Sequence, residues 1–136
     1  MTTDPLRHEL RWAVEAAQSK KAAAMTLLDL SHLSAFTGSF LLCSAFSTRQ
    51  VQAISDAIEE AGERQGIRLA HREGKAGAEW VLLDYGDFLV HIFSERLRHF
   101  YDIERLWRMA RRIDFSEPSS DSESVEDASA AGGSLA

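Results

Sequence analysis

Apolar residues in the first twenty positions recur every three or four places, at Leu6, Leu10, Ala13, Val14 and Ala17. That spacing puts them on one face of an α-helix, and Asp4-Pro5 opens it well, because a first-turn amide has no intrahelical partner to lose. The pattern predicts one amphipathic helix to about Lys20. Then the period changes. AMTLLDL (24–30) and FLLCSAF (40–46) are unbroken apolar runs, as expected of central strands covered on both faces, and the loop between them contains Gly38-Ser39. Ser47-Thr48-Arg49-Gln50 has capping-box spacing, and Val51, Ile54, Ala57, Ile58 and Ala61 give the helix behind it a buried stripe, with Gly62 and Gly66 as stops. A short strand is expected at 67–72 and a flexible loop at 73–77. The stretch EWVLLDYGDFLVHIF (79–93) then holds two apolar runs joined by Asp84-Tyr85-Gly86-Asp87, a hairpin with glycine available for positive φ. Ser94 caps a third helix, whose Leu97, Phe100, Tyr101, Ile103, Leu106 and Trp107 cover a wide face.

The order helix, strand, strand, helix, three strands, helix predicts a single α/β domain over 1–115, a mixed sheet of about five strands with helices packed on it. Residues 116–136, SEPSSDSESVEDASAAGGSLA, are small and acidic, and too poor in large apolar groups to offset their ordering entropy; a disordered tail is expected. Charge sharpens the division. The chain of 136 residues has a net charge of −6, yet five acids (Glu117, Asp121, Glu123, Glu126, Asp127) lie after Phe115 with no Lys or Arg among them. The body therefore carries fifteen basic against sixteen acidic residues, net −1, which argues against general adhesion to nucleic acid or anionic membrane. One cysteine, Cys43, excludes an internal disulfide and a multi-cysteine zinc site. No signal-peptide core and no apolar run of membrane-spanning length is present, so a soluble, unexported protein is expected.

Asp84 and Asp87 are the candidate chemistry. Two carboxylates converging on magnesium would suit phosphoryl or nucleotidyl transfer, but Lys75 is the one basic residue close in sequence, and aspartate is common in turns for local reasons; the turn reading outweighs the metal reading. Gly38-Ser39 precedes a strand rather than a helix, so it reads as loop and not as phosphate site. His8, His32, His71, His91 and His99 lack metal-ligand spacing, and His91 reads as a structural imidazole. Cys43 reads as a buried, inert thiol. Trp80, at the mouth of the hairpin, and Tyr85, in its turn, are large aromatics that serve an interface or the core equally well.

Taken together, LLDLSHLSAFTGSFLLCSAFSTRQ, HREG, EWVLLDYGDFLVHIF and FYDIERLW, in this order and spacing, resemble the ribosomal silencing factors, or Iojap family. The resemblance runs from about Leu6 to Met109. It implies a five-stranded α/β domain shaped like a nucleotidyltransferase but without the activity, and needing no cofactor. It also implies a translational repressor that binds the large ribosomal subunit through that subunit's fourteenth protein and blocks joining of the small subunit under nutrient limitation. The family's HxEG block falls on His71-Arg72-Glu73-Gly74, and its W-x-L-x-D-x-G-D block on Trp80, Leu82, Asp84, Gly86 and Asp87. By that carry-over Glu73, Gly74, Trp80, Asp84, Gly86 and Asp87 face the partner, with Tyr85 and Leu83 as further apolar anchors. Where many members have FTDYF and SG, this chain has Phe36-Thr37-Gly38-Ser39-Phe40 and Ser44-Ala45, which affects any contact through that loop. Weak ribosomal RNA contacts from Arg108, Arg111 and Arg112 are a secondary expectation, with a monomer or homodimer off the ribosome. An N-terminus without an Arg- and Ser-rich presequence favours a bacterial cytoplasm. The rival reading is a magnesium-dependent, nucleotidyltransferase-like enzyme built on Asp84 and Asp87.

Overall fold

The computed structural model describes residues 9–33 and 37–115; the helix opening at Asp4-Pro5 and the acidic tail lie outside them. Helix α1 (Arg11–Ser19) buries Ala13, Val14 and Ala17. Strands β1 (Ala23–Asp29) and β2 (Ser39–Ala45) follow, then the long helix α2 (Thr48–Arg64). The capping box forms: Ser47 Oγ accepts the Gln50 amide at 3.0 Å, and Gln50 Oε1 accepts the Phe46 amide at 2.7 Å. Strand β3 is only His71–Glu73, so the strand expected at 67–72 shrinks to its last two positions plus Glu73. The hairpin is β4 (Trp80–Asp84) and β5 (Phe88–Ser94). The Ser94 hydroxyl accepts the Leu97 amide and starts α3 (Glu95–Tyr101).

The third helix is not continuous. Asp102 takes φ 49°, breaking the expected element into α3 and a single turn, α4 (Ile103–Leu106). Leu97, Ile103 and Trp107 pack inward, but Phe100 and Leu106 are exposed, so the apolar face is narrower than its spacing suggested. A sixth strand, β6 (Arg111–Asp114), then pairs antiparallel with β1. Its sequence RRID has one apolar residue and no alternation long enough to announce it.

The sheet runs β3-β4-β5-β2-β1-β6, with β2 and β5 parallel and every other pair antiparallel. β1 and β2 are internal, and both edges are short strands rich in charge, which discourages pairing with other chains. On one face α1 and α2 seal a large core that includes Leu27, Leu41, Cys43, Ile54, Leu83, Val90 and Ile92. On the other, α3 and α4 cover a smaller cluster, Leu28, Leu30, Leu42 and Phe93. The second face is thus closed over β1 and β2 and less covered towards β3.

Candidate protein-interaction surface

The hairpin turn answers the carboxylate question locally. Gly86 adopts φ +88°, its amide donates to Asp84 Oδ1 at 2.8 Å, and the Tyr85 amide donates to the Phe88 carbonyl at 3.0 Å. Asp84 thereby holds the turn. The Asp87 carbonyl accepts the Gly38 amide at 2.8 Å, tying the Gly38-Ser39 loop to the hairpin, while the Asp87 residue itself is exposed. A side chain at Gly38 would bring Cβ to 3.1 Å from that carbonyl, so glycine fits the close approach. Among the described residues no group of three or more His, Cys, Asp and Glu is placed to hold a metal.

Strand alternation sorts the remaining candidates. Val81 and Leu83 point into the helix-covered core, and Tyr85 continues that face, with its ring stacked on Phe88 at 5.0 Å and edge-on to Trp12 at 5.7 Å. Leu83 is 0% and Tyr85 9% exposed. Neither can be the exposed apolar anchor that the family resemblance suggested. Trp80 and Tyr85 are five residues apart, an odd separation, and so lie on opposite faces rather than one rim. Burial pushes the Tyr85 phenol up to about 12, helped by Glu59. Gly74 is held to glycine by packing, since at φ +104° a Cβ would stand 2.7 Å from the Trp80 carbonyl and would push β3 off β4.

What shares a face with Trp80 follows from the register. One row across the sheet is Glu73, Leu82, His91 and Leu42; the next is His71, Asp84, Leu89 and Phe40. Trp80 is half-buried and lies in a third row with Phe93 and Ser44, stacked on Phe93 at 5.0 Å and tilted against Tyr101 at 5.1 Å. Its Nε1 donates to His91 Nδ1 at 3.2 Å. With Nδ1 accepting, the neutral ring carries its proton on Nε2, which is buried without a partner among the described residues. Burial holds the His91 pKa down to about 4, so the ring is neutral near pH 7. The structural reading of this histidine holds. So does that of Cys43, fully buried, with its thiol pushed up to about 12.

Leu82 and Leu89 are half-buried and belong to neither packed cluster. Leu82 is a position of the W-x-L-x-D-x-G-D block and counting by twos from Trp80 reaches it directly, whereas Leu89 does not stand out among the apolar letters of the hairpin. Around them stand Glu73 and His71, paired at 2.9 Å and exposed, together with Asp84. Arg72, between them, turns to the opposite face and pairs with Glu59 of α2. The open half of the second face is therefore an apolar centre of Trp80, Leu82 and Leu89 with an acidic margin. Such a surface can bind another protein that offers an apolar knob flanked by cations. Of the three arginines considered for RNA, Arg111 pairs with Asp29 and Arg112 with Asp114 and Glu104; Arg108 has no ion-pair partner among the described residues.

Among the described residues no helix is long and apolar enough to cross a membrane. The family model described as "Ribosomal silencing factor during starvation" matches residues 3–134, reaching well past the motif blocks that end near Met109. A Halalkalibacterium halodurans protein named ribosomal silencing factor is 37% identical over 105 residues, covering 77% of this chain and 90% of that one. The chloroplastic protein Iojap of Zea mays is 36% identical over 100 residues, 74% of this chain and 43% of the maize protein. A crystal structure of a Chromobacterium violaceum protein superposes with a TM-score of 0.73 at 28% identity, covering 88% of this chain and 100% of that one. With the fold and most of the length matched, the chain belongs to the ribosomal silencing factors, the Iojap family.

Proposed function

We propose that this factor represses translation by docking on the large ribosomal subunit, through that subunit's fourteenth protein, and filling space the small subunit needs. Protein synthesis then falls when nutrients are short. The observation that carries the reading is the open half-face itself: Trp80, Leu82 and Leu89 form an apolar centre that the chain's own clusters leave out or only half cover. Glu73, Asp84 and Asp87 supply negative charge at its margin, suited to the basic groups of a ribosomal protein. Gly74 and Gly86 shape the edge and the turn that present these residues. A specific interface buries ~800 Å² per partner, which one sheet face and its flanking loops can supply. Arg108 adds a weak contact to ribosomal RNA. The output is obstruction, with no covalent chemistry and no cofactor, and the setting is a bacterial cytoplasm, where the protein is a monomer or a homodimer off the ribosome.

Light scattering of separated subunits tests the mechanism: saturating amounts of the factor should slow their reassociation, and an unchanged rate would remove it. Co-sedimentation tests the site. Trp80→Ala should weaken binding to large subunits by roughly 2 kcal/mol, the scale of a central aromatic anchor, with Leu82→Ala smaller but in the same direction. Wild-type co-sedimentation by both variants would move the docking surface elsewhere.

A further inference from the structure

The break at Asp102 leaves a second surface unexplained. A 570 Å³ groove opens between α3 and α4, with Phe100, Tyr101, Arg105, Leu106 and Arg108 along it. Phe100 is 71% and Leu106 77% exposed, unusual for side chains of this size. Arg105 and Arg108 have no ion-pair partner among the described residues, whereas Arg98, Arg111 and Arg112 are all paired. One carboxylate, Asp102, and one histidine, His99, also line it.

From this we infer that the groove is the docking site of the chain's own acidic C-terminal segment, residues 116–136. Two observations favour that occupant. The first is charge: the segment carries five acids and no Lys or Arg, against a groove bearing two unpaired guanidinium groups. The second is reach. The Phe115 amide donates to the Met25 carbonyl at 3.0 Å, fixing where the segment leaves the domain. A chain spans up to ~3.5 Å per residue, and a domain of this size has a radius of gyration near ~13 Å, so the segment can reach any part of the surface. Pro118, Val125 and Leu135 supply apolar groups for Phe100 and Leu106. The docked segment lies beside the candidate interaction surface, because Tyr101 lines the groove and also packs on Trp80 at 5.1 Å. Because the attraction is between charges, its hold on the groove weakens with salt.

Cys43 is fully buried, so one cysteine introduced into the acidic segment of the full chain, Ser124→Cys, is the thiol a nitroxide reagent reaches. In an isotope-enriched sample the amides of residues 100–108 should lose intensity at low salt. They should recover in 1 M salt, where the screening length is ~3 Å, and in the Arg105→Glu/Arg108→Glu variant. Unchanged groove amides overturn the inference, as does a loss indifferent to both salt and charge reversal. Loss that appears only between a nitroxide-bearing copy and a separate enriched copy assigns the groove to a second molecule and overturns it too.

Discussion

His91 is the side chain whose protonation most directly couples to the integrity of the candidate surface. Its imidazole is 5% exposed, accepts from Trp80, and is stacked parallel to Phe93 at 5.7 Å. Burial lowers its pKa from 6.5 to about 4, so between those values the unfolded chain binds a proton that the folded chain refuses. The contribution to stability is complete above pH 6.5 and is lost as pH falls towards 4. From pH 7 to pH 5 the loss should be about 2 kcal/mol, since each tenfold difference in proton affinity between the two states is worth about 1.36 kcal/mol. Burial raises the Glu104 pKa, but Arg98 outweighs it and holds the carboxyl below its ordinary 4.5, so that contribution is lost only as pH falls from about 4.5 downward, mostly below the His91 window. Urea unfolding at pH 7 and pH 5 should show the drop in wild type and a much smaller one in His91→Gln. An equal drop in both would locate the acid sensitivity elsewhere. That this histidine is structural was legible from its apolar neighbours in sequence; that it holds Trp80 was not, because the contact depends on the β4–β5 register.

At the scale of elements, the piece that joins the C-terminal region to the sheet is α3, and the joint is Arg98. Its guanidinium donates to the Ala24 carbonyl at 2.7 Å, to Ser44 and Thr26 hydroxyls, and to Glu104 at 2.7 Å, with Thr26 donating in turn to Asp114 of β6. One buried charge thus links α3, α4, β1, β2 and, through Thr26, the edge strand. Arg98→Ala leaves Glu104 largely desolvated without its main partner and should cost about 3 kcal/mol or more, most of it from the stranded carboxylate. Hydrogen exchange should then show β6 amides losing protection before those of β2. Uniform loss across the sheet would mean the network does not hold the edge in particular. Nothing in the letters marked Arg98, one arginine among several on a helix whose polar face reads as solvent-exposed. The same holds for β6, whose RRID is stabilised by pairing with β1 rather than by its own pattern. The long elements with strong periods, α2 and the central strands, were legible, because there local preference and burial agree. The candidate site was legible in part: the motif blocks point to the hairpin, but parity within it sends Leu83 and Tyr85 to the core and brings Leu82 and Leu89 to the open face.

For the whole molecule, the steric proposal makes a quantitative demand that its local contacts do not. If the factor and the small subunit exclude one another from the large subunit, each must weaken the other's binding by the same factor, because linkage between two ligands of one receptor is reciprocal. Raising the small-subunit concentration should then relieve inhibition fully, and the factor concentration giving half-inhibition should rise in proportion to it. An effector that instead deformed the large subunit while leaving room for both partners would give a plateau, a ternary complex persisting at saturation. The domain's architecture favours exclusion: a six-stranded sheet is packed on one face by α1 and α2 and on part of the other by α3 and α4. A compact obstacle of this kind acts by its volume, so Trp80→Ala should shift the half-inhibition point to higher factor concentration and leave the limiting inhibition unchanged. A variant that lowered the limit itself, with binding intact, would show that the fold transmits something beyond occupancy.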